Sequence, residues 1–290
     1  MNTLVLGIPK GSLQEATVQI MLRAGYRLEA SGRSYYPAID DDEIEARLMR
    51  PQDMSRFVEK GTVDCGLTGT DWVAENGSDV ITVAELVYAK QQLVPVRWVI
   101  AVPEDSPIRR VEDLDGKSIS TELVNVTRRF LQERGVTAEV EFSHGATETK
   151  VPDLVDAIVE LTETGESLRA NRLRTIDTVM QSTTELIASH EAWEDPWKRT
   201  KIENLGMLLK GAILGQSKVG LKMNVPNGAL EAVLEILPAL RKPTINNLAD
   251  ESGYAVETVL DESVARSLIP ELKRAGAEGI IEYPLNKVVL

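Results

Sequence analysis

The chain has 290 residues, 43% of them hydrophobic, which is enough for two or three packed units and too much for one small core. Its net charge of −13 argues against nucleic acid or an acidic membrane surface as partner, since either needs a basic face. No stretch approaches the roughly 20 apolar residues that span a bilayer, and the start carries no basic flank ahead of an apolar run, so a soluble cytoplasmic protein is expected.

Leu4 to Ile8 predicts a first strand, followed by a turn at Pro9-Lys10-Gly11. The next helix puts Leu13, Ala16, Ile20 and Met21 on one face, with Ser12 and Glu15 at capping-box spacing and Gly25 at its end. Asp40-Asp41-Asp42-Glu43 lacks the glycine and the ligand alternation of a calcium loop, and reads as a solvated acidic turn. Pro51 suits the first turn of a helix that follows Arg50. Val63 to Leu67 repeats the strand pattern, with Thr68-Gly69-Thr70 as its turn and a helix from Asp71. Within that strand the lone cysteine, Cys65, has no neighbouring histidine and reads as a buried structural thiol. Ser118 to Ser120 then leads into a helix through Val126, Phe130 and Leu131 to Gly135.

The fourth such unit is the best formed: a strand from Val155 to Leu161, a turn from Thr162 to Glu166, and a helix start from Ser167 to Asn171. All four put a polar loop at the carboxyl end of a strand, where open α/β sheets bind ligands. Ile202, Leu205, Leu209, Ala212 and Ile213 then recur at helical spacing, in a helix leading out of the α/β body. Past a boundary near Ser217 come a strand (Val219 to Val225), a helix (Ala229 to Leu240), strands within Thr244 to Leu248 and Tyr254 to Val259, a helix (Glu262 to Ala275) and a strand (Gly279 to Tyr283). That β-α-β-β-α-β order is ferredoxin-like.

A protein this acidic binds phosphates only through local devices: helix-start amides, placed Lys and Arg, and Mg²⁺ carried in by the substrate. Glu163-Thr164-Gly165-Glu166-Ser167 has the composition of a nest of backbone N–H groups with hydroxyls added; as an isolated stretch it reads more readily as a solvated turn with Thr164 or Ser167 as cap. Lys10 stands before a helix start and adds a point charge there, or is simply solvated; the spacing is not that of a P-loop. Arg50-Pro51 and Gly66 to Asp71 are open between capping and binding. His144 and His190 have no paired ligands at zinc spacing.

Taken in this order, Lys10, Arg50-Pro51, Gly66 to Asp71, Gly145-Ala146-Thr147-Glu148, the run from Asp156 to Leu168, and Pro243-Thr244-Ile245 resemble the ATP phosphoribosyltransferase family of histidine biosynthesis, in its long form with a C-terminal regulatory domain. Ser12 departs from the Arg common after the Lys-Gly pair, Ser167 from the usual Thr, and Glu163 and Glu166 are additional acids.

The resemblance implies a two-lobed body of the type II periplasmic-binding-protein kind, with residues 1–94 and 190–216 in one lobe and 95–189 in the other, followed by an ACT- or PII-like ferredoxin domain at 217–290. It implies 5-phosphoribosyl 1-pyrophosphate (PRPP) on the second lobe, its phosphate on Glu163, Thr164, Gly165, Glu166, Ser167 and Leu168, and its ribose near Asp156 and Glu160. ATP is expected against Lys10, Gly11, Arg50, Gly69 and Asp71. Lys10 and Arg50, with Mg²⁺, would stabilise the departing pyrophosphate, and Glu148 would orient or deprotonate the adenine. L-histidine is expected near Asn224, Thr244 and Ile245 as an inhibitor, with AMP as a second one, in a homodimer or hexamer. A solute-binding protein or the effector domain of a transcription factor shares the two-lobed fold, but no signal peptide, helix-turn-helix or basic segment accompanies this sequence.

Overall fold

The computed structural model describes residues 2–29, 34–89, 94–238 and 242–290. Strand β1 (Leu4–Pro9) is apolar on both faces and buried, as a central parallel strand must be. Helix α1 (Gln14–Ala24) follows and ends at Gly25 in the left-handed region, φ 106°. The capping box expected of Ser12 and Glu15 does not form. Leu13 is the N-cap, without a side-chain bond, and the Gln14 N–H donates to the Gly11 carbonyl at 3.1 Å, so the helix grows out of a backbone turn.

Strands β2 (Leu28–Glu29) and β3 (Ala38–Ile39) form a small ribbon, and β4 (Ile44–Met49) pairs in parallel with β1. Helix α2 (Pro51–Glu59) starts with proline in its first turn; its Met54 lies so close to the sheet that a Cβ on Gly66 would sit 2.5 Å from the sulfur. Strand β5 (Cys65–Gly69), helix α3 (Thr70–Asn76) and strand β6 (Ile81–Leu86) complete the first part of this lobe. Cys65 is fully buried, and burial pushes its thiol well above the ordinary range.

Strand β7 (Val96–Pro103) opens the second lobe, followed by β8 (Ser118–Thr121), α4 (Val124–Glu133), β9 (Glu139–Phe142), β10 (Ala157–Thr162), α5 (Glu166–Ala170) and β11 (Leu173–Ser182). The chain then re-enters the first sheet as β12 (Thr184–Ala188), so the return comes at Thr184 and not near 190. The sheets run β4-β1-β5-β12-β6 and β11-β7-β10-β8-β9. In each, the strand that arrives from a crossing (β12, β7) is antiparallel to its neighbours and lies between the third and fourth strands of its lobe. This shared order, with two crossings, is the type II periplasmic-binding-protein arrangement. Strands β6, β7, β11 and β12 lie outside the four strand-turn-helix units read from sequence.

After α6 (His190–Glu194) comes the long helix α7 (Pro196–Gln216), which contains the predicted apolar residues from Ile202 to Ile213 and starts before them, at Pro196. Its first turns are anchored by Lys198, 2.7 Å from the buried Asp64, and by Lys201, 2.8 Å from Asp41 and 2.7 Å from Glu43. Half of the acidic run at 40–43 is therefore ion-paired to this helix and is not a wholly solvated turn.

The chain divides into two compact units, Met1–Met207 and Leu208–Leu290, so the last turns of α7 go with the second unit and the division precedes Ser217. That unit contains β13 (Lys218–Pro226), α8 (Leu230–Ile236), β14 (Thr244–Asn247), β15 (Gly253–Asp261), α9 (Glu262–Arg274) and β16 (Glu278–Pro284), in the antiparallel order β14-β15-β13-β16 of a ferredoxin-like domain. Helix α8 stops at Ile236; its expected end at Leu240 lies outside the described residues. Val219, Leu221, Met223 and Val225 alternate into a core with Val233, Leu268 and Leu272 of the helices.

Candidate active site

The turn after β10 is built by its own side chains. The Thr162 hydroxyl accepts from the Gly165 N–H at 2.8 Å, and Gly165 takes φ 78°, a conformation glycine adopts freely. A Cβ there would also lie 2.8 Å from the Arg169 guanidinium. Thr164 accepts a long bond, 3.4 Å, from the Glu166 N–H. The amides of Ser167 and Leu168, in the first turn of α5, have no acceptor among the described residues. The Gly165 and Glu166 amides are thus occupied internally, and those of Ser167 and Leu168 are open. Leu168 is 3% exposed and packs with Val99, Ile158 and Leu173, so its side chain anchors the loop in the core and only its backbone faces outward. Glu166 is exposed and Glu163 half-buried.

Around this turn, polar groups converge from the carboxyl ends of β8 and β10. Ser167 donates to Glu148 at 2.6 Å. Glu148 lies on a single 3₁₀ turn, Thr147–Lys150, which the chain enters through positive φ at Gly145 (102°) and Ala146 (49°). Thr147 is buried and shares a hydrogen bond with Ser143 at 2.9 Å. Burial pushes the Glu160 carboxyl above its ordinary value; a bond from the Thr147 hydroxyl opposes this, and the negative charges of Glu148 and Glu122 add to the rise. Lys150 donates to Ser120 at 2.9 Å and brings a cation to this group. Sequence reading misses Glu122 and Lys150 as site residues, and includes Thr147 within the Gly145-Ala146-Thr147-Glu148 segment without giving it a role. Among the described residues no group of three or more His, Cys, Asp or Glu could hold a metal ion.

Asp156 is not brought to this group. It precedes β10, where it accepts from the Ser118 N–H at 2.9 Å and the Ser118 hydroxyl at 3.0 Å. The strand between it and Thr162 spans about 20 Å at ordinary strand rise. Its expected place beside the ribose is therefore wrong: Asp156 sits at the amino end of the sheet, the loop at the carboxyl end.

In the first lobe, Lys10 follows β1 and its ammonium lies 3.8 Å from the centre of the exposed Tyr35 ring. Gly11 has φ 114°, with open space where a Cβ would be. Arg50 is the extended N-cap of α2 and is exposed beside them. Of Gly69 and Asp71, expected against ATP, Gly69 is half-buried and the Asp71 side chain turns inward. Asp71 is 4% exposed; one carboxylate oxygen accepts from the Trp98 indole N–H at 2.6 Å and the other from the Trp72 N–H at 2.9 Å. Burial raises its carboxyl, with the Trp98 bond opposing. A Cβ on Gly69 would collide with this carboxylate. The reason is steric: α3 begins so tightly after β5 that its first acid folds back under the turn.

In the C-terminal unit, register sets Asn224 opposite Ala255 and Thr244 opposite Glu257, all on the sheet face away from the helices. Ile245 pairs with the core residue Val256 and so belongs to the other face, because successive strand residues alternate. The three expected histidine contacts therefore do not share a face. Thr244 does line a cavity of about 440 Å³ with Lys242, Glu257, Val259 and the terminal Val288 to Leu290.

Comparison with known proteins places these features in a family. A family model described as ATP phosphoribosyltransferase matches residues 50–211, and one described as the HisG C-terminal domain matches 215–287. The ATP phosphoribosyltransferase of Chlorobaculum parvum is 58% identical over 288 residues, covering 99% of this chain and 98% of the relative. That of Thermodesulfovibrio yellowstonii is 57% identical over 288 residues, covering 99% of each. A solved structure, the ATP phosphoribosyl transferase (HisG:HisZ) complex from Thermotoga maritima, superposes with a TM-score of 0.61 at 25% identity, over 72% of this chain and 99% of that one. Matched by both models and by relatives of nearly its full length, the chain belongs to the ATP phosphoribosyltransferase family.

Proposed function

We propose that the chain condenses ATP with PRPP to 1-(5-phosphoribosyl)-ATP and pyrophosphate, the first step of histidine biosynthesis. The observation that carries this reading is the turn at 162–168, whose open Ser167 and Leu168 amides and neighbouring hydroxyls suit a sugar phosphate in a protein otherwise short of positive charge. In the reaction the adenine N1 lone pair attacks the anomeric carbon as the bond to the pyrophosphate oxygen breaks, with inversion at that carbon. Such a step needs alignment and leaving-group stabilisation more than a protein nucleophile.

The 5′-phosphate sits on the turn, with Glu160 facing the ribose. Lys10 and Arg50 neutralise the departing pyrophosphate, and Glu148, already held by Ser167, orients the adenine or takes its proton. Mg²⁺ comes as part of the PRPP diphosphate, where it neutralises charge. L-histidine acts from the C-terminal unit near Asn224 and Thr244, AMP competes at the ATP wall, and the enzyme works in the cytoplasm as a homo-oligomer.

The test is pyrophosphate release from PRPP and Mg²⁺ with and without ATP. ATP-dependent release is expected. Binding of PRPP without any release would mean a two-lobed binding protein.

A further inference from the structure

Both chain crossings between the lobes are fastened at one point by Gly69-Thr70-Asp71. The Thr70 N–H and hydroxyl each donate to the Thr183 carbonyl at 2.9 Å, and the Thr183 N–H returns a bond to the Thr70 hydroxyl at 3.1 Å. Thr183 lies in the second crossing, and its hydroxyl donates to the Leu86 carbonyl at 3.3 Å, while Thr184 donates to Tyr88 at 3.2 Å; Leu86 and Tyr88 lead into the first crossing. Asp71 closes the arrangement. Its N–H donates to the Ser182 hydroxyl at 3.2 Å, and its carboxylate holds Trp98, near the start of β7, where the first crossing ends. The Trp72 and Trp98 rings meet edge to face at 6.0 Å beside it.

We infer that Asp71 is a positioning residue for phosphoribosyl transfer: through Trp98 and Ser182 it clips the two crossings together and fixes the angle at which the two substrate walls face each other. This rests on the transferase reading above, in which one wall carries PRPP and the other ATP. A carboxylate that is 4% exposed, with Trp98 and Trp72 as donors to its oxygens, is not a group facing solvent in wait for a ligand. It is also a costly way to hold a hinge unless the hinge angle matters. Reaction between two bound partners makes it matter: misplacement by about 1 Å lowers rate about a hundredfold without touching either binding wall.

The experiment compares Asp71→Asn, Ser182→Ala and Trp98→Phe, singly and in the Asp71→Asn/Trp98→Phe pair, with thermal melting to confirm that each is folded. Asp71→Asn is expected to lower kcat about tenfold or more, with the KM of either substrate changed less than about twofold. Ser182→Ala acts in the same direction and more weakly, and the double variant is no worse than the poorer single one, because both residues act through one contact. Hydrogen exchange at residues 70 and 183 should quicken in Asp71→Asn.

A selective rise in the KM for ATP would make Asp71 a ligand and overturn the proposal. So would unchanged kcat in a less stable protein, or losses that simply add. If wild type releases no pyrophosphate, the transferase reading fails; unchanged exchange at 70 and 183 in Asp71→Asn overturns the clip independently of activity.

Discussion

Asp156, just ahead of β10, and Glu160, within it, have carboxyls shifted in opposite directions, the first held down by the Ser118 N–H and the second pushed up by burial. Glu160 is raised, chiefly by burial, so its ordinary value of about 4.3 marks the lower edge of the window and its folded value the upper. The folded state holds this proton more readily than the unfolded chain does, so its contribution to stability falls as pH rises through that window. If the anion accepts from the ribose hydroxyls, kcat/KM for PRPP should fall on the acid side with a limb above the usual carboxylate range. Glu160→Gln should flatten that limb and lower kcat/KM about tenfold or more at neutral pH, the scale of a lost charged hydrogen bond; an unchanged limb would remove Glu160 from the site. Asp156 is lowered, first by the Ser118 N–H. Its stability is present above about 3.9 and is lost as pH falls through the lower folded value. Asp156→Asn should therefore weaken the acid dependence of the urea midpoint while leaving the KM for PRPP unaltered. A large rise in that KM would restore the ribose contact that strand geometry denies it.

At the scale of elements, the two lobes meet where α3 approaches the start of α4. The Glu75 carboxylate accepts from the N–H groups of Asn125 and Val126, both at 2.9 Å, the Asn125 amide returns a bond to the Glu75 carbonyl at 3.0 Å, and Arg129 donates to the Ala74 carbonyl at 2.7 Å. One lobe's helix thus supplies the cap that α4 lacks in its own sequence, where Leu123 is the N-cap residue without a side-chain bond. Glu75→Ala should lower unfolding free energy by about 1 kcal/mol, read from the denaturant midpoint, and should speed hydrogen exchange at residues 125 and 126; no change in either would mean the cap is incidental. This contact also shows what sequence could and could not reveal. Strand β10, its turn and α5 were legible because apolar run, glycine and helix start are contiguous. The capping box at Ser12 failed because a residue pattern states which bonds are available, not whether a backbone turn will pre-empt them. In sequence Asp71 reads as a ligand because its partners, Ser182 and Trp98, are distant along the chain and approach only when both crossings close. Ile245 and Thr244 are adjacent in the motif, yet neighbours on a strand point apart. Fold class survived these errors because it depends on order and periodicity, whereas the site depends on long-range contacts that periodicity does not encode.

Across the whole molecule, the C-terminal unit has its own core and an external fastening to the end of α7. Its last residues run against the Gly211 and Gly215 face of that helix: the Val288 N–H donates to the Gly211 carbonyl at 2.9 Å, and a Cβ on Gly215 would lie 2.8 Å from the Lys287 backbone. Cutting the chain after Gln216 removes β13 to β16 together with this tail. Lys198 and Lys201 keep their partners in the first unit, so the first half of α7 stays anchored. If histidine acts through the sheet face carrying Asn224 and Thr244, its inhibition is a difference in affinity between states of this unit, and none of that difference survives its removal. The shortened chain should fold, by circular dichroism, release pyrophosphate from PRPP when ATP is present, and be indifferent to histidine at concentrations that inhibit the full chain. Full inhibition of a folded, active shortened chain would move the sensor into the catalytic body, and with it the reason for a second unit.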